Sequence, residues 1–367
     1  MNPLEQRLHY PMGEALPEVG QTLEVAPGIR WVRMSLPFAL DHINLWLLRD
    51  EITLDGTTTQ GWTLVDCGIS HPNTQQAWEQ VFATSLDGLP ILRVVVTHMH
   101  PDHVGLAHWM CQRWSVAGRR CMLHMSSLDF AMAHLGSMGG TAFGGDEAAD
   151  FFAEHGLTDP EDIAKVRARR NHFSGLVPKV PGQHHPLRNG TVLRIGQDDW
   201  HCISGYGHAP EHIALHCPAR GLFISGDMLL PRISTNISVY VSDPESDPLG
   251  LFMASLDQMH HLPSTTLVLP SHGRPFGGPQ TTHGCVQERI AQLKNHHHQR
   301  LDELQAAASQ QPLHAYEALG LLFKRKLDLH QTTFAMGESI AHLNHLWHTG
   351  RLTRARNDQG VFVFAAS

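Results

Sequence analysis

The chain predicts an α/β/β/α sandwich, two β-sheets packed face to face with helices on their outer sides. Three observations carry that reading. Strand-like runs come in two batches, "IRWVRMSLPF", "INLWLLRD", "WTLVDCG" and "ILRVVVTH", then "TVLRIG", "WHCISGYG", "HIALHCP" and "GLFISGD". Helical stretches lie between and after them. One run, "ILRVVVTH", is dominated by apolar residues without alternation, as in a strand covered on both faces.

The elements follow in order. After the first three strands, a helix is predicted from Asn73 to about Ser85, then the valine-rich strand, a helix over 106–117 and a short strand in "RCMLHMS". From about 126 to 181 the pattern turns helical, in "LDFAMAHL" and "DPEDIAKVRARRNHF", around the glycine-rich "GSMGGTAFGGDE". This reads as a helical insertion laid over the main sheet. The second batch of strands then runs to "LPSHGRPFGGPQ" at 269–280, whose Pro and Gly content marks a boundary. The expected domains are 1–278, catalytic, and 279–367, helical. In the second, Val286, Ile290, Leu293, Leu301 and Leu304 keep a helical stripe. Two further helices follow in "PLHAYEALGLLFK" and "GESIAHLNHLWHTG", the latter closed by Gly350, and a hairpin turns around 357–360. Three helices and a hairpin read as a winged-helix-like module.

Composition narrows the function. With 367 residues and 42% apolar content the chain can bury large cores without disulfides or structural metal. A net charge of −8 gives no general pull toward nucleic acid or an anionic membrane. No apolar stretch approaches a membrane span, the start lacks a signal-like apolar region, and the six cysteines include no CxxC pair. A cytoplasmic protein is expected. The 29 histidines are an excess, but the pairs at 184–185 and 260–261 and the triplet at 296–298 read as surface or helix-face residues. Spacing must therefore separate ligands from background.

"VVVTHMHPDHVG", residues 94–105, does so in part: H-x-H-x-D-H should arise by chance in about one chain in a hundred of this composition. Four more polar residues share its setting, each just past an apolar strand: Asp66, His208, Asp227 and His272. Strand ends are where sites are built.

Taken in order, "VDCG", "THMHPDHVG", "GHAPEH", "SGD" and "LPSHG" resemble the five motifs of the metallo-β-lactamase superfamily. The resemblance spans about residues 60–275 and implies a dinuclear metal site. It implies that His98, His100 and His208 hold one ion, that Asp102, His103 and His272 hold the other, and that Asp227 bridges them. Asp66 is implied to orient the His-rich loop, and Asp102 and Asp227 are the catalytic carboxylates. The donor chemistry agrees: imidazole and carboxylate suit zinc first, with iron or manganese as alternatives. Alternation along an extended loop would put His98, His100 and Asp102 on one face and His103 on another. Two divalent ions about 3.5–4 Å apart would clamp a hydroxide of pKa near 7, the expected nucleophile.

Other residues are weighed against blander roles. His42, Asn44 and Tyr206 are candidates for a substrate pocket. His212 reads as structural or supporting, His124 and His216 as core or surface residues. The glycines at 136–145 lack a following GK[ST] and are read as a flap rather than a phosphate loop.

Departures from family branches narrow the substrate. Flavin-linked diiron reductases carry Glu where His100 stands. Quorum-quenching lactonases carry Tyr shortly after the bridging Asp, where this chain has "MLLP". The closest resemblance is to the LACTB2-like group with its C-terminal winged-helix-like module. The expectation is a hydrolase of a small acyl ester or thioester, acting through the metal-bridging hydroxide, with no nucleic-acid partner, no membrane, and a homodimer as an option. A metal-dependent single-strand endoribonuclease is the rival reading, and a non-catalytic metal-binding protein a distant third. Basic residues at 324–326 and at 351, 354 and 356 are the only support for the rival.

Overall fold

A computed structural model describes residues 5–139, 144–279 and 285–367, apart from the side chains of 329 and 330. The first sheet holds seven strands in sequence order: β1 (Thr22–Ala26), β2 (Ile29–Ser35), β3 (His42–Leu54), β4 (Thr57–Val65), β5 (Ile91–Val95), β6 (Met122–Ser126) and β7 (His184–Leu187). β1 to β4 are antiparallel and β4 to β7 parallel. The second sheet runs β8 (Val192–Ile195), β9 (Asp198–Gly205), β10 (His212–Cys217), β11 (Leu222–Gly226), β12 (Leu267–Pro270) and β13 (Phe276–Gly277). Only its β11–β12 pair is parallel.

Helices α1 (Pro72–Thr84), α2 (Pro101–Val104) and α3 (Ala107–Trp114) belong to the first half. Between β6 and β7 come α4 (Ser127–Ser137), α5 (Asp146–Glu154), α6 (Pro160–Ala168) and α7 (His172–Leu176). α8 (Pro248–Met259) lies between β11 and β12, and α9 (Val286–Ala308), α10 (Ala315–Leu322) and α11 (Leu329–His348) precede the hairpin of β14 (Leu352–Arg356) and β15 (Phe362–Ala366). Among the described residues no helix is long and apolar enough to cross a membrane.

Three apolar layers account for this order. Strand alternation sends Leu45 and Leu47 of β3 toward the α1 and α3 side, with Trp78, Val81 and Met110, while Trp46 and Leu48 face the other sheet. Between the sheets, Trp31, Trp46, Val95, Ile213, Leu215, Ile224 and Leu269 interdigitate. On the outer face of the second sheet, Ala214, Phe223 and Val268 pack with Leu249, Phe252, Ile290, Leu293, Ile340 and Leu343. Each sheet is covered on both faces, the predicted sandwich.

Two details of the packing were not visible in the sequence. The insertion divides its packing: Ala133 of α4 and Phe173 of α7 cover the first sheet, whereas Ala149, Phe151 and Val166 of α5 and α6 join the cluster of the C-terminal helices. The centre of its glycine-rich stretch, 140–143, lies outside the described residues. The C-terminal helices, in turn, share one continuous core with β10 to β12, so packing does not break at 278.

β4 and β5 run parallel, and β9 runs parallel to β11 and β12. Asp66, the 98–103 loop, His208, Asp227 and His272 therefore all emerge at one end of the sandwich. There the sheets are tied together by Ile213 N–H to Thr97 O, 2.8 Å, and Asn44 N–H to Ser271 O, 2.7 Å.

Candidate metal centre

The centre begins with the turn after β5. Pro101 occupies the first position of α2, where its fixed φ and missing N–H favour helix initiation, and the amides of His103 and Val104 donate to His100 O, both 3.0 Å. The chain thus bends through 97–100, with His100 itself extended, and is helical from Pro101. This corrects the alternation expected from the sequence: Asp102 does not share a face with His98 and His100, because the helical turn sends it, with His103, to a second group.

His98 Nε2, His100 Nδ1 and His208 Nε2 converge, at 2.9 Å, 3.0 Å and 3.1 Å from one another. His272 Nε2 lies 3.4 Å from Asp102 Oδ2, and His103 Nε2 lies 3.6 Å from the same oxygen. Asp227 stands between the groups. Its Oδ2 is 3.4 Å from His208 Nε2, and its Oδ1 is 3.5 Å from His103 Nε2 and 3.4 Å from His272 Nε2. The seven residues implied as ligands are brought together, one carboxylate facing both groups.

The far nitrogens show which electrons face inward. His103 Nδ1 pairs with Asp66 Oδ2 at 2.8 Å, His208 Nδ1 donates to Asn236 O at 2.7 Å, and His272 Nδ1 donates to His42 O at 2.7 Å. His98 Nδ1 meets Thr97 Oγ1 at 3.0 Å, a hydroxyl that also donates to Asp66 Oδ2 at 2.9 Å. With those protons committed outward, the inward nitrogens of His98 and His208 both present lone pairs at hydrogen-bonding distance. Converging imidazole lone pairs of this kind suit a cation. The buried His103 Nε2 and Asp227 Oδ1 have no hydrogen-bond partner, as vacant donors to a metal would.

Electrostatics point the same way. Burial and the neighbouring imidazoles hold His98 and His100 well below the ordinary histidine range. Burial also opposes charge on His103, but Asp102, Asp66 and Asp227 outweigh it and push that ring up to about 10. Asp227 is buried yet held well below the usual carboxylate range by His272 and His103. In one group burial keeps His98 and His100 neutral, and in the other the carboxylates draw positive charge onto His103 and His272. The residues fit a pair of divalent cations.

Asp66 supports rather than ligates. It takes φ +61°, a left-handed conformation that Asp tolerates, and its carboxylate accepts from Thr97 N–H at 2.8 Å as well as from His103. His212 accepts from Asp227 N–H through Nε2 at 3.1 Å and so holds the shared carboxylate's backbone. Its approach depends on Gly226, at φ +53°, where a Cβ would lie 2.1 Å from His212 Nε2.

Among the expected pocket residues, His42 and Asn44 are committed to the His272 loop. His42 Nε2 accepts from Gly273 N–H at 2.8 Å, and Asn44 Nδ2 donates to Pro270 O and Gly273 O at 2.8 and 2.7 Å. Tyr206 is half-buried, its amide donating to Ser255 Oγ at 2.9 Å. The histidine triplet is not all surface: His297 is fully buried, because α9 turns that position toward α11.

Sequence reasoning missed Asp129, at the start of α4. Its buried carboxylate accepts from Met99 N–H at 2.8 Å and from Glu211 N–H at 2.7 Å. It thereby ties the loop of His98 and His100 to the loop of His208. Burial lifts it to about 6. The signal was the cap pattern "SSLD", in which Ser126 and Asp129 bond each other, but spacing alone cannot show what else the carboxylate reaches.

Comparison with known proteins agrees with this geometry. Residues 41–272 match the model of the Metallo-beta-lactamase superfamily, and residues 301–367 that of the Metallo-beta-lactamase-like, C-terminal domain. A beta-lactamase domain protein from Burkholderia ambifaria is 48% identical, with a TM-score of 0.91 and full coverage of both chains. The metallo-beta-lactamase family protein TTHA1429 from Thermus thermophilus is 26% identical, with a TM-score of 0.73 over 94% of this chain and all of that one. The Bacillus subtilis (strain 168) protein named "Probable metallo-hydrolase YqjP" is 25% identical over 325 residues, 86% of this chain and 91% of that protein. The chain is a metallo-hydrolase belonging to the metallo-β-lactamase superfamily.

Proposed function

We propose that this centre hydrolyses a carboxylic ester or thioester of a small acyl compound, with a pair of zinc ions as the metal. The observation that carries the reading is Asp227, whose two oxygens face two separate donor groups. The chemistry such a pair of ions supplies is Lewis acidity toward the acyl carbonyl and a water whose pKa falls toward about 7.

The chain's own residues would do the rest. His98, His103, His208 and His272 are buried and held from behind, so they can take up ions without reorganising. His100 and Asp102 are half-buried and mark the open side. Asp102 is the carboxylate placed there to accept the proton that water gives up as its oxygen bonds to the acyl carbon. Returned to the departing oxygen or sulfur, that proton completes an acid and an alcohol or thiol.

Three of the six basic residues that favour the phosphodiester reading are already committed to ion pairs. Arg351 pairs with Asp302, Arg354 with Glu245 and Arg356 with Glu154. Arg354 also lies over the Trp347 ring. α11, which a winged-helix reader would present to nucleic acid, buries Met336, Ile340, Leu343 and Leu346 in the core. A footprint for a phosphate backbone needs free cations on an accessible face. Within the superfamily we assign the chain to the LACTB2-like group on its three terminal helices and hairpin, as a cytoplasmic enzyme with six free thiols.

A panel of acyl-CoA, S-acyl-glutathione, lactone and single-stranded RNA substrates tests the assignment. Turnover is expected on an ester or thioester, abolished by chelation and restored by zinc. RNA cleavage alone, or turnover that survives complete removal of metal, would overturn it.

A further inference from the structure

The five residues 235–239 lie between the metal centre and the C-terminal helix α11, and they are bonded to both. On the inner side, Thr235 Oγ1 donates to the carbonyl oxygen of Asp227. His208 Nδ1 donates to Asn236 O at 2.7 Å. On the outer side, Val239 N–H donates to Gly337 O at 3.1 Å, and Asn236 Nδ2 donates to Glu338 Oε2 at 3.1 Å. Ser238 Oγ donates to Asn236 Oδ1 at 2.8 Å, which fixes the orientation of that amide and turns its N–H toward Glu338.

The fit is close. A Cβ at Gly337 would stand 2.7 Å from both Cβ and Oγ of Ser238, so the helix approaches the strap at a residue without a side chain. Glu338 follows directly and is half-buried, on the same helix that fills the core with Met336 and Ile340. At its other end α11 is anchored independently, by His345 Nδ1 at 3.0 Å from each oxygen of Asp247.

We infer that Glu338, delivered by the C-terminal helix, is a positioning residue of the metal centre: through Asn236 it sets the carbonyl that orients His208. The inference rests on the reading of His98, His100 and His208 as donors to one ion. Its physical basis is that a ligating imidazole is aimed by whatever holds its other nitrogen, and that a carbonyl aims well only if its own peptide is held. Asn236 presents its main-chain oxygen to His208 and its side chain to Glu338, so one residue transmits the restraint. The C-terminal region is then part of the centre rather than an appended module.

Cobalt titration of the full-length, metal-stripped protein tests this, because cobalt absorption reports ligand geometry without turnover. Wild type is expected to bind two ions per chain. Glu338→Ala should weaken one of them about tenfold and shift its absorption bands, in the range seen when the partner of a ligating histidine is removed. Glu338→Gln keeps an acceptor for Asn236 Nδ2 and should restore both. Asn236→Ala cuts the same link from the other side, retains the backbone carbonyl, and should reproduce the Glu338→Ala spectrum. His345→Ala loosens α11 away from the strap and should lower the melting temperature with the bands unmoved. Wild-type affinity and spectrum in both Glu338→Ala and Asn236→Ala would overturn the inference alone. A wild-type chain that binds no cobalt would overturn it together with the reading of the centre.

Discussion

Asp129 shows how a residue that touches no ligand side chain can govern a metal centre. One of its oxygens holds the amide between His98 and His100, the other the amide of Glu211 beyond His208. All three donors of one group thus hang from loops joined at a single carboxylate. Asn cannot replace it, since an amide NH2 would face one of the two N–H donors. Asp129→Asn and Asp129→Ala are both expected to weaken binding of one ion by about 10- to 100-fold while the second ion is retained. Metal analysis after dialysis at graded free zinc would show this; two tightly held ions in both variants would refute it. His42 acts on the opposite group in the same way, since its carbonyl aims His272 and its ring holds the Gly273 amide.

At the level of elements, the turn after β11 is the tightest constraint on the shared carboxylate. Gly226 at φ +53° lets His212, from the neighbouring β10, reach the Asp227 amide. Gly226→Ala adds a Cβ where His212 Nε2 lies and asks an L-residue to adopt a left-handed backbone. The variant is expected to lose about 1–3 kcal/mol of stability in urea unfolding, together with metal uptake. An alanine variant as stable as the parent, with full metal content, would mean that β11 can shift without disturbing the centre.

At the scale of the whole molecule, the C-terminal helical layer carries a pH dependence of its own. His155, His297 and His342 are buried there, and burial first, then neighbouring positive groups where they exist, lowers them to about 4, about 2 and about 4. Unfolded, each would titrate near 6.5. Below that pH the unfolded chain takes up protons that the folded chain refuses, so the contribution of these three groups to stability falls as pH drops from about 6.5 toward 4 and is flat above. Each histidine contributes a slope of up to about 1.4 kcal/mol per pH unit in that window. Unfolding free energies of the chelated protein at pH 7.5 and 5.0 should show this fall, and His297→Gln should flatten it by about one proton. A slope unchanged in that variant would place the acid sensitivity elsewhere.

Only local features can be read from the order of residues. The strand runs, the valines of β5 and the polar motifs each occupy a few consecutive residues, so the sandwich was legible from pattern and the seven donor positions from the resemblance of those motifs to the metallo-β-lactamase superfamily. His98 and His100 after β5, His208 after β9, Asp227 after β11 and His272 after β12 could be read because each lies just past a strand, and parallel strands deliver their ends to one edge. Tertiary structure alone decided what holds those donors. Asp129 acts across 82 positions to Glu211, Asn236 across 102 to Glu338, and Asn44 across 229 to Gly273. It also decided which nitrogen of each imidazole faces inward, that His297 is buried, and that the basic residues of the hairpin are ion-paired. The physical reason is that a hydrogen bond between distant segments requires only complementary groups where the chain happens to meet, and such a meeting leaves no periodicity in the sequence.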